Sequence, residues 1–163
     1  MSEMSLSKVG SALGCVSVLT ATIVLTFVGL LLSSGFQILD PMVRHDDFAA
    51  LLADPTGYYS KTLYEGRWIN YLWHLRGVVT PSWLSYLAYQ FFWSVFAACL
   101  ANLALGDKGV LWHRVAMALL VALVPSALLI SLWFNTLIPG MGMVALYAWL
   151  STQLNERTAR GLL

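Results

Sequence analysis

This sequence contains few charged residues. Only 10% of its 163 residues carry a charged side chain, and 59% are hydrophobic, whereas a soluble domain has about 25% charged residues. So little polar surface cannot cover a globule in water, and the lipid bilayer is therefore the expected solvent. The formal net charge of +1 gives no reason to expect nucleic acid as a partner.

Cysteines and the motifs of soluble enzymes are also scarce. The two cysteines, Cys15 and Cys99, both fall inside apolar runs, where a thiol is expected to act as a small packing group and not as a disulfide partner or metal ligand. The sequence contains no GxSxG, CxxC, HExxH, Walker or dinucleotide-binding pattern. These absences argue against catalytic sites of the soluble type.

The sequence is rich in long charge-free runs, at residues 9–39, 77–106 and 115–155. A bilayer-spanning helix needs about twenty residues, so the third run is too long for one span. We expect Pro139-Gly140 to divide it and Pro125 to kink its first half. The prediction is an all-α polytopic membrane protein, a single domain over residues 1–163, with four transmembrane helices at about 10–38, 78–105, 115–137 and 139–154.

Four spans put both termini on the same side of the membrane. The short segments on that side are mostly basic, whereas acidic residues match the basic ones in the long loop at residues 40–77. The positive-inside rule then predicts cytoplasmic termini and an external loop, periplasmic in a bacterium. A transporter or channel is less favoured, because its spans should carry ionisable residues and these runs carry none.

The external loop reads as a series of amphipathic helices at the membrane surface. Asp46 and Asp47 begin the first helix, where carboxylates favour the helix dipole, and Gly66 is expected to end the second. In the third, Trp68, Leu72 and Leu75 share one face, while Arg67, Asn70 or Tyr71, and His74 share the other. Aromatic residues on such helices suit the headgroup region.

The same loop holds the candidate functional residues. Adjacent carboxylates raise each other's proton affinity, so Asp46 and Asp47 could supply a general base or hold a divalent cation; a helix cap is the alternative. The planar guanidinium of Arg67 is suited to binding a phosphate or carboxylate; the alternative is that it only extends to the lipid headgroups. Aromatic side chains could stack on a sugar or form an interfacial belt, and His74 could be structural. The candidate substrate-binding residues are Arg44, His45, Tyr58, Tyr59, Lys61, Arg67, Trp68 and His74.

Two short motifs carry a resemblance to a known family: Asp46-Asp47-Phe48, and Tyr64-Glu65-Gly66-Arg67-Trp68 followed by Asn70-Tyr71-Leu72-Trp73. The order of features is one span, an external loop that begins with Asp-Asp, helices that lead to Gly-Arg-Trp, and then further spans. This order resembles the polytopic GT-C-type glycosyltransferases. More narrowly, the order resembles the bacterial and phage glucosyltransferases that modify O-antigen. The resemblance covers about residues 15–105.

The resemblance implies an activity and its partners. Such enzymes transfer a hexose, glucose in this group, from a polyprenyl-phosphate carrier to a cell-surface glycan on the outer side of the cytoplasmic membrane. It implies that an acidic residue of the first external loop acts as general base on the acceptor hydroxyl or helps organise the site, and Asp46 and Asp47 are the candidates for that role; binding of the lipid phosphate by Arg67 is a physical inference. Family members have more spans, so this chain is expected to be a module that further spans or a partner chain complete. The alternative is a non-enzymatic membrane subunit or adaptor whose loop binds a partner or lipid headgroups.

Overall fold

A computed structural model describes residues 3–39, 63–74, 80–106 and 109–161, and the side chains of 18–38, 63–73, 80–106 and 109–154. All regular structure in this part of the chain is helical, which confirms the predicted all-α class. The helices are α1 (Glu3–Ser34), α2 (Phe36–Leu39), α3 (Trp68–His74), α4 (Ser82–Leu105), α5 (Leu111–Ala122), α6 (Pro125–Ser131) and α7 (Phe134–Gly161).

Several of these helices are apolar enough to cross a membrane. Helix α4 and the Phe134–Leu154 part of α7 are each long and apolar enough to span a bilayer, and α5 with α6 would form a third span that is bent by 66°. The Val18–Ser34 part of α1 is an apolar but shorter helix. The described residues therefore form a helical membrane protein with two candidate spans, or three if the bent pair crosses.

Small side chains fill the contacts between α1, α4 and α5. Ala97, Ala101, Ala118 and Ala122 surround Leu30 in one buried cluster. Large apolar side chains point outward instead: the exposed fractions of Leu32, Leu120 and Tyr147 are 84%, 73% and 74%. This distribution is typical of membrane helices, which approach closely through small residues and need no polar exterior.

Helices α1 and α5 both run antiparallel to α4. Ser34 at the end of α1 lies 2.8 Å from the Tyr86 hydroxyl near the start of α4, whereas Leu19 packs beside Ala98 and Cys99 further along α4. Trp93 donates a 3.3 Å hydrogen bond to the carbonyl of Ala122 at the end of α5. Near the start of α5, Arg114 donates to Asn102, close to the end of α4.

Helix α7 instead runs parallel to α4. The ring of Phe134 packs edge-on against Tyr86 with 5.5 Å between centroids, and Ala148 joins the cluster of Ala98 and Cys99. The burial of Cys99 in this cluster agrees with its predicted packing role. We call the end of the bundle where α1 ends and α4 and α7 begin the loop end.

A buried polar cluster ties α1 to α4 at the loop end. The Ser34 hydroxyl lies 2.8 Å from the Leu30 carbonyl, which can only accept. Since a serine hydroxyl has a single proton, the hydroxyl of Tyr86 must donate to Ser34 Oγ across their 2.8 Å contact. Gln90 Nε2 lies 3.5 Å from the same oxygen. The cluster therefore has a defined donor order that holds the end of α1 in register with α4.

The predicted division of the third run at Pro139-Gly140 is wrong. Helix α7 continues through Pro139, so spans at 115–137 and 139–154 do not match the helices. Pro139 is the sixth residue of α7, where its missing N–H forfeits only the hydrogen bond to the Asn135 carbonyl. Because the loss is confined to the first turns, packing against α4 can maintain the helix.

The chain breaks at Pro125 instead, which confirms the predicted kink. Val124 has an extended backbone (φ −58°, ψ 144°), and Pro125 is the first residue of α6. Proline disfavours helix at the residue before it and is well suited to the first helical position. The run at residues 115–155 is thus divided at residues 123–124 and 132–133, and α6 departs by 66° from the line of α5.

Candidate functional site at the loop end

A glycine turn places Arg67 at the loop end. Gly66 has φ 72°, and its N–H donates to the Leu63 carbonyl at 3.1 Å. Since glycine adopts positive φ without the cost that a side chain imposes, the turn confirms the predicted break at Gly66. It also brings its two neighbours together, and Arg67 Nε lies 3.1 Å from a carboxylate oxygen of Glu65.

Helix α3 then packs against α7. Asn70 is buried, and Trp73 packs against the cluster of Tyr86, Tyr89 and Phe134. On the opposite side, Trp68 and Leu72 are more than half exposed. Helix α3 is therefore held to the bundle by one face and presents a tryptophan and a leucine on the other, as suits a helix at a membrane surface.

Arg67 borders an open cavity of about 400 Å³. The other lining residues are Ile130, Trp133, Thr136 and Leu137, from the end of α6, the 132–133 break and the first turns of α7. Among the described residues of this lining, Arg67 is the only charged one, and its side chain is 41% exposed. A guanidinium beside apolar and aromatic groups is suited to an anion that belongs to an amphiphilic molecule, because its planar donors match phosphate or carboxylate.

A second cavity shares two lining residues with the first. It has a volume of about 270 Å³ and lies between α4, α6 and α7. Ile130 and Leu137 line both cavities, so the two spaces adjoin. The 66° bend at Pro125 carries α6 off the line of α5, and α6 contributes Ala127 and Ile130 to the lining of this second cavity. The remaining lining residues are apolar or aromatic: Tyr89, Trp93, Ala127, Gly140, Met141 and Val144. We call this second cavity the apolar groove.

Arg114 provides a contrast at the opposite end of the bundle. The residue is only 7% exposed, and its guanidinium donates to Asn102 Oδ1, the Gly106 carbonyl and, at 2.8 Å, the Gly109 carbonyl. These bonds satisfy carbonyls at the C-terminus of α4 and join that end to the start of α5. Arg114 is therefore buried and fully engaged by protein acceptors, whereas Arg67 is partly exposed, pairs with Glu65 and borders a cavity.

No family model, curated protein or solved structure matches this chain. Function is therefore inferred from the sequence motifs and from the geometry of the loop end.

Most of the predicted site residues lie outside the part of the chain that the structure describes. These are Arg44, His45, Asp46, Asp47, Tyr58, Tyr59 and Lys61. His74 ends α3, but its side chain is also outside the described set. Of the remaining two, Arg67 borders the cavity, and Trp68 lies on the exposed face of α3.

Among the described residues, no group of three His, Cys, Asp or Glu side chains could hold a metal ion. The predicted cation ligands, Asp46 and Asp47, are outside that set, so a divalent cation at this pair stays a prediction.

Sequence reasoning missed the residues that complete the cavity. Ile130, Trp133 and Thr136 are more than sixty positions from Arg67 along the chain. No local pattern pairs them with the Gly-Arg-Trp segment. A usable signal was Pro125, because the bend there sets the direction of α6, which contributes Ile130 to the cavity.

Proposed function

We propose that this chain is a membrane glycosyltransferase, or the N-terminal module of one. In this proposal it transfers a hexose, glucose in the group that it resembles, from a polyprenyl-phosphate carrier to a cell-surface glycan. The observation that carries the proposal is the pairing of Arg67 with an apolar groove that adjoins its cavity. A polyprenyl phosphate has the same two parts, an anion and a hydrocarbon chain.

The directions of the helices support four membrane crossings. Helix α1 leads to the loop end, α4 leads away from it, α5 with α6 returns, and α7 leads away again. In this topology both termini are cytoplasmic, and the loop end faces the periplasm of a bacterium. Arg67 then lies on the side of the cytoplasmic membrane where the family that this chain resembles transfers sugar.

In the proposed reaction, the Asp46-Asp47 pair supplies a general base and Arg67 binds the phosphate of the leaving group. A carboxylate of the pair accepts the proton of the acceptor hydroxyl, whose oxygen bonds to the anomeric carbon. The bond from that carbon to the phosphate oxygen breaks, and the polyprenyl phosphate leaves with its added negative charge facing Arg67. A positioned general base typically contributes about 10²–10⁴-fold to the rate.

Sugar transfer in membranes tests the proposal. Membranes that contain the full chain are supplied with radiolabelled polyprenyl-phosphate glucose and a glycan acceptor. We expect Asp46→Asn/Asp47→Asn to abolish transfer, while Asp54→Asn, which removes another carboxylate from the same loop, retains it. Protease protection would verify that each variant is inserted normally. Absence of transfer by an inserted wild-type chain, with and without added candidate partner chains, would refute the proposal.

A second function is favoured by the exposed face of α3. Trp68 and Leu72 present apolar surface that no described part of the chain covers. A non-enzymatic membrane subunit or adaptor would use this face to dock a partner or lipid headgroups. It predicts that Trp68→Ala disrupts partner capture while the changes at Asp46 and Asp47 are tolerated, which is the reverse of the pattern expected for the enzyme.

A further inference from the structure

The break between α5 and α6 leaves polar groups of the main chain without partners. Because residue 125 is proline, the Val121 carbonyl lacks the N–H donor that a continuous helix would place four residues later. Within the described part of the chain, the Leu120 carbonyl and the Val124 N–H also form no backbone hydrogen bond with each other. The break therefore carries two main-chain acceptors and one donor that the described residues do not satisfy.

This break lies near the middle of the bundle and faces outward. The Ala122 carbonyl accepts a hydrogen bond from Trp93, which is the twelfth of the 24 residues of α4. Because α4 is long and apolar enough to span a bilayer, a point halfway along it lies in the hydrocarbon core. Val124 is 43% exposed, and Pro125 and Ser126 are exposed as well. At this depth lipid supplies no hydrogen-bond partner.

The break between α6 and α7 differs, because its main-chain groups are paired. The Leu132 N–H donates to the Leu129 carbonyl at 3.3 Å. The Trp133 N–H donates to the Ile130 carbonyl at 3.1 Å, and the Trp133 carbonyl accepts from the N–H of Thr136. Unpaired groups are thus a property of the α5–α6 break and do not accompany both breaks.

We propose that a second copy of this chain covers the α5–α6 break, so that the protein forms a twofold dimer in the membrane. The break offers acceptors in its carbonyls and a donor in the exposed hydroxyl of Ser126. In a twofold contact the same patch meets itself, so Ser126 of each copy can donate to the Val121 carbonyl of the other. An axis along the bilayer normal keeps the two groups at matching depths, because they are only five residues apart.

The surroundings of the break favour a membrane helix as its cover. A water-filled space is the other setting in which irregular backbone occurs at membrane depth. The apolar groove, which Ala127 and Ile130 of α6 line, has apolar and aromatic walls, and such cavities stay dry. Leu120 and Leu129, on either side of the break, are 73% and 58% exposed. The patch therefore has polar groups at its centre and an apolar rim, as a contact between membrane helices requires.

Association of the full chain in lipid vesicles tests the proposal. Chains labelled with a donor or an acceptor fluorophore are reconstituted together, and energy transfer is followed as the vesicles are diluted with lipid. We expect the wild type to follow a monomer–dimer equilibrium. Ser126→Ala removes two hydrogen bonds per dimer, which at the average strength between membrane helices should weaken association about eightfold. Ser126→Thr keeps the hydroxyl and should restore most of the loss.

Ser33→Ala is the matched control. Ser33 is exposed on α1, and its hydroxyl donates to the Gly29 carbonyl of its own helix at 2.9 Å. Its replacement should leave association within about twofold. A wild type that stays monomeric at every dilution would overturn the proposal, even if it associates with a different chain. A dimer that Ser126→Ala leaves unchanged would also overturn it. Sugar transfer by a monomeric chain would overturn the dimer and leave the proposed function intact.

Discussion

Replacement of Arg114 by methionine tests whether the end opposite the loop end depends on one buried cation. Methionine keeps most of the length of the side chain but removes the donors to Asn102, Gly106 and Gly109. Gly106 is exposed, so water can satisfy its carbonyl. The other two acceptors lie in partly buried contacts, and an acceptor that loses its partner costs about 1–3 kcal/mol. We therefore expect Arg114→Met to lower the free energy of unfolding by about 3 kcal/mol.

The same substitution at Arg67 is the matched control. Arg67 and Glu65 form an ion pair in which both side chains are more than a third exposed, and such pairs contribute at most about 1 kcal/mol. Arg67→Met should thus change stability by less than 1 kcal/mol while it weakens binding of lipid phosphate. Arg114→Met should lower stability and leave binding of lipid phosphate unchanged, apart from any loss of binding that follows from unfolding.

Unfolding of the purified chain in mixed micelles by SDS, followed by circular dichroism, measures both effects. A double-mutant cycle of Arg114→Met with Asn102→Leu should give a coupling energy of about 1–2 kcal/mol, because the two side chains bond directly. Equal destabilisation by Arg114→Met and Arg67→Met, or a coupling energy near zero, would refute the inference that Arg114 joins α4 to α5.

Two other contacts lead to predictions in the same assay. Tyr86→Phe removes the donor to Ser34 Oγ and should cost about 0.6 kcal/mol, the average for a hydrogen bond between membrane helices; a stabilising effect would contradict the inference that this hydrogen bond holds α1 to α4. Gly29→Leu should cost about 1–3 kcal/mol by overpacking, because an added Cβ would lie 2.8 Å from Leu119 Cδ2. Leu119→Ala should restore part of that loss, and failure of this rescue would contradict the close contact between α1 and α5.

The parts of the fold that could be predicted are those that a single residue or a single run of residues determines through its own chemistry. The charge-free run at residues 77–106 predicted a span at about 78–105, and the structure has α4 at Ser82–Leu105. Gly66 and Pro125 act through their own backbone geometry, so a break at each could be predicted from residue type. Pro139 has the same residue type as Pro125, but its effect depends on how far into a helix it falls and on what packs beside it.

Of the described residues that line the cavity, only Arg67 was predicted from the sequence. The type of Arg67 and its place beside tryptophan pointed to an anion, which suits the cavity that the structure shows at this position. The partners Ile130, Trp133 and Thr136 reach Arg67 because α7 runs parallel to α4 and begins at the same end of the bundle. That direction is set by contacts between distant residues, such as Tyr86 with Phe134, which no local periodicity contains.

An apolar groove that opens toward a bilayer is filled with hydrocarbon, whether or not the protein has a specific ligand. The groove alone therefore cannot select a lipid, because the chains of all bulk lipids are about equally apolar. Selection needs a second group at a fixed place relative to the chain, and Arg67, beside Ile130 and Leu137, supplies it. If the proposed function holds, discrimination against bulk phospholipids should accordingly require Arg67, and its loss should leave a surface that binds lipids without preference.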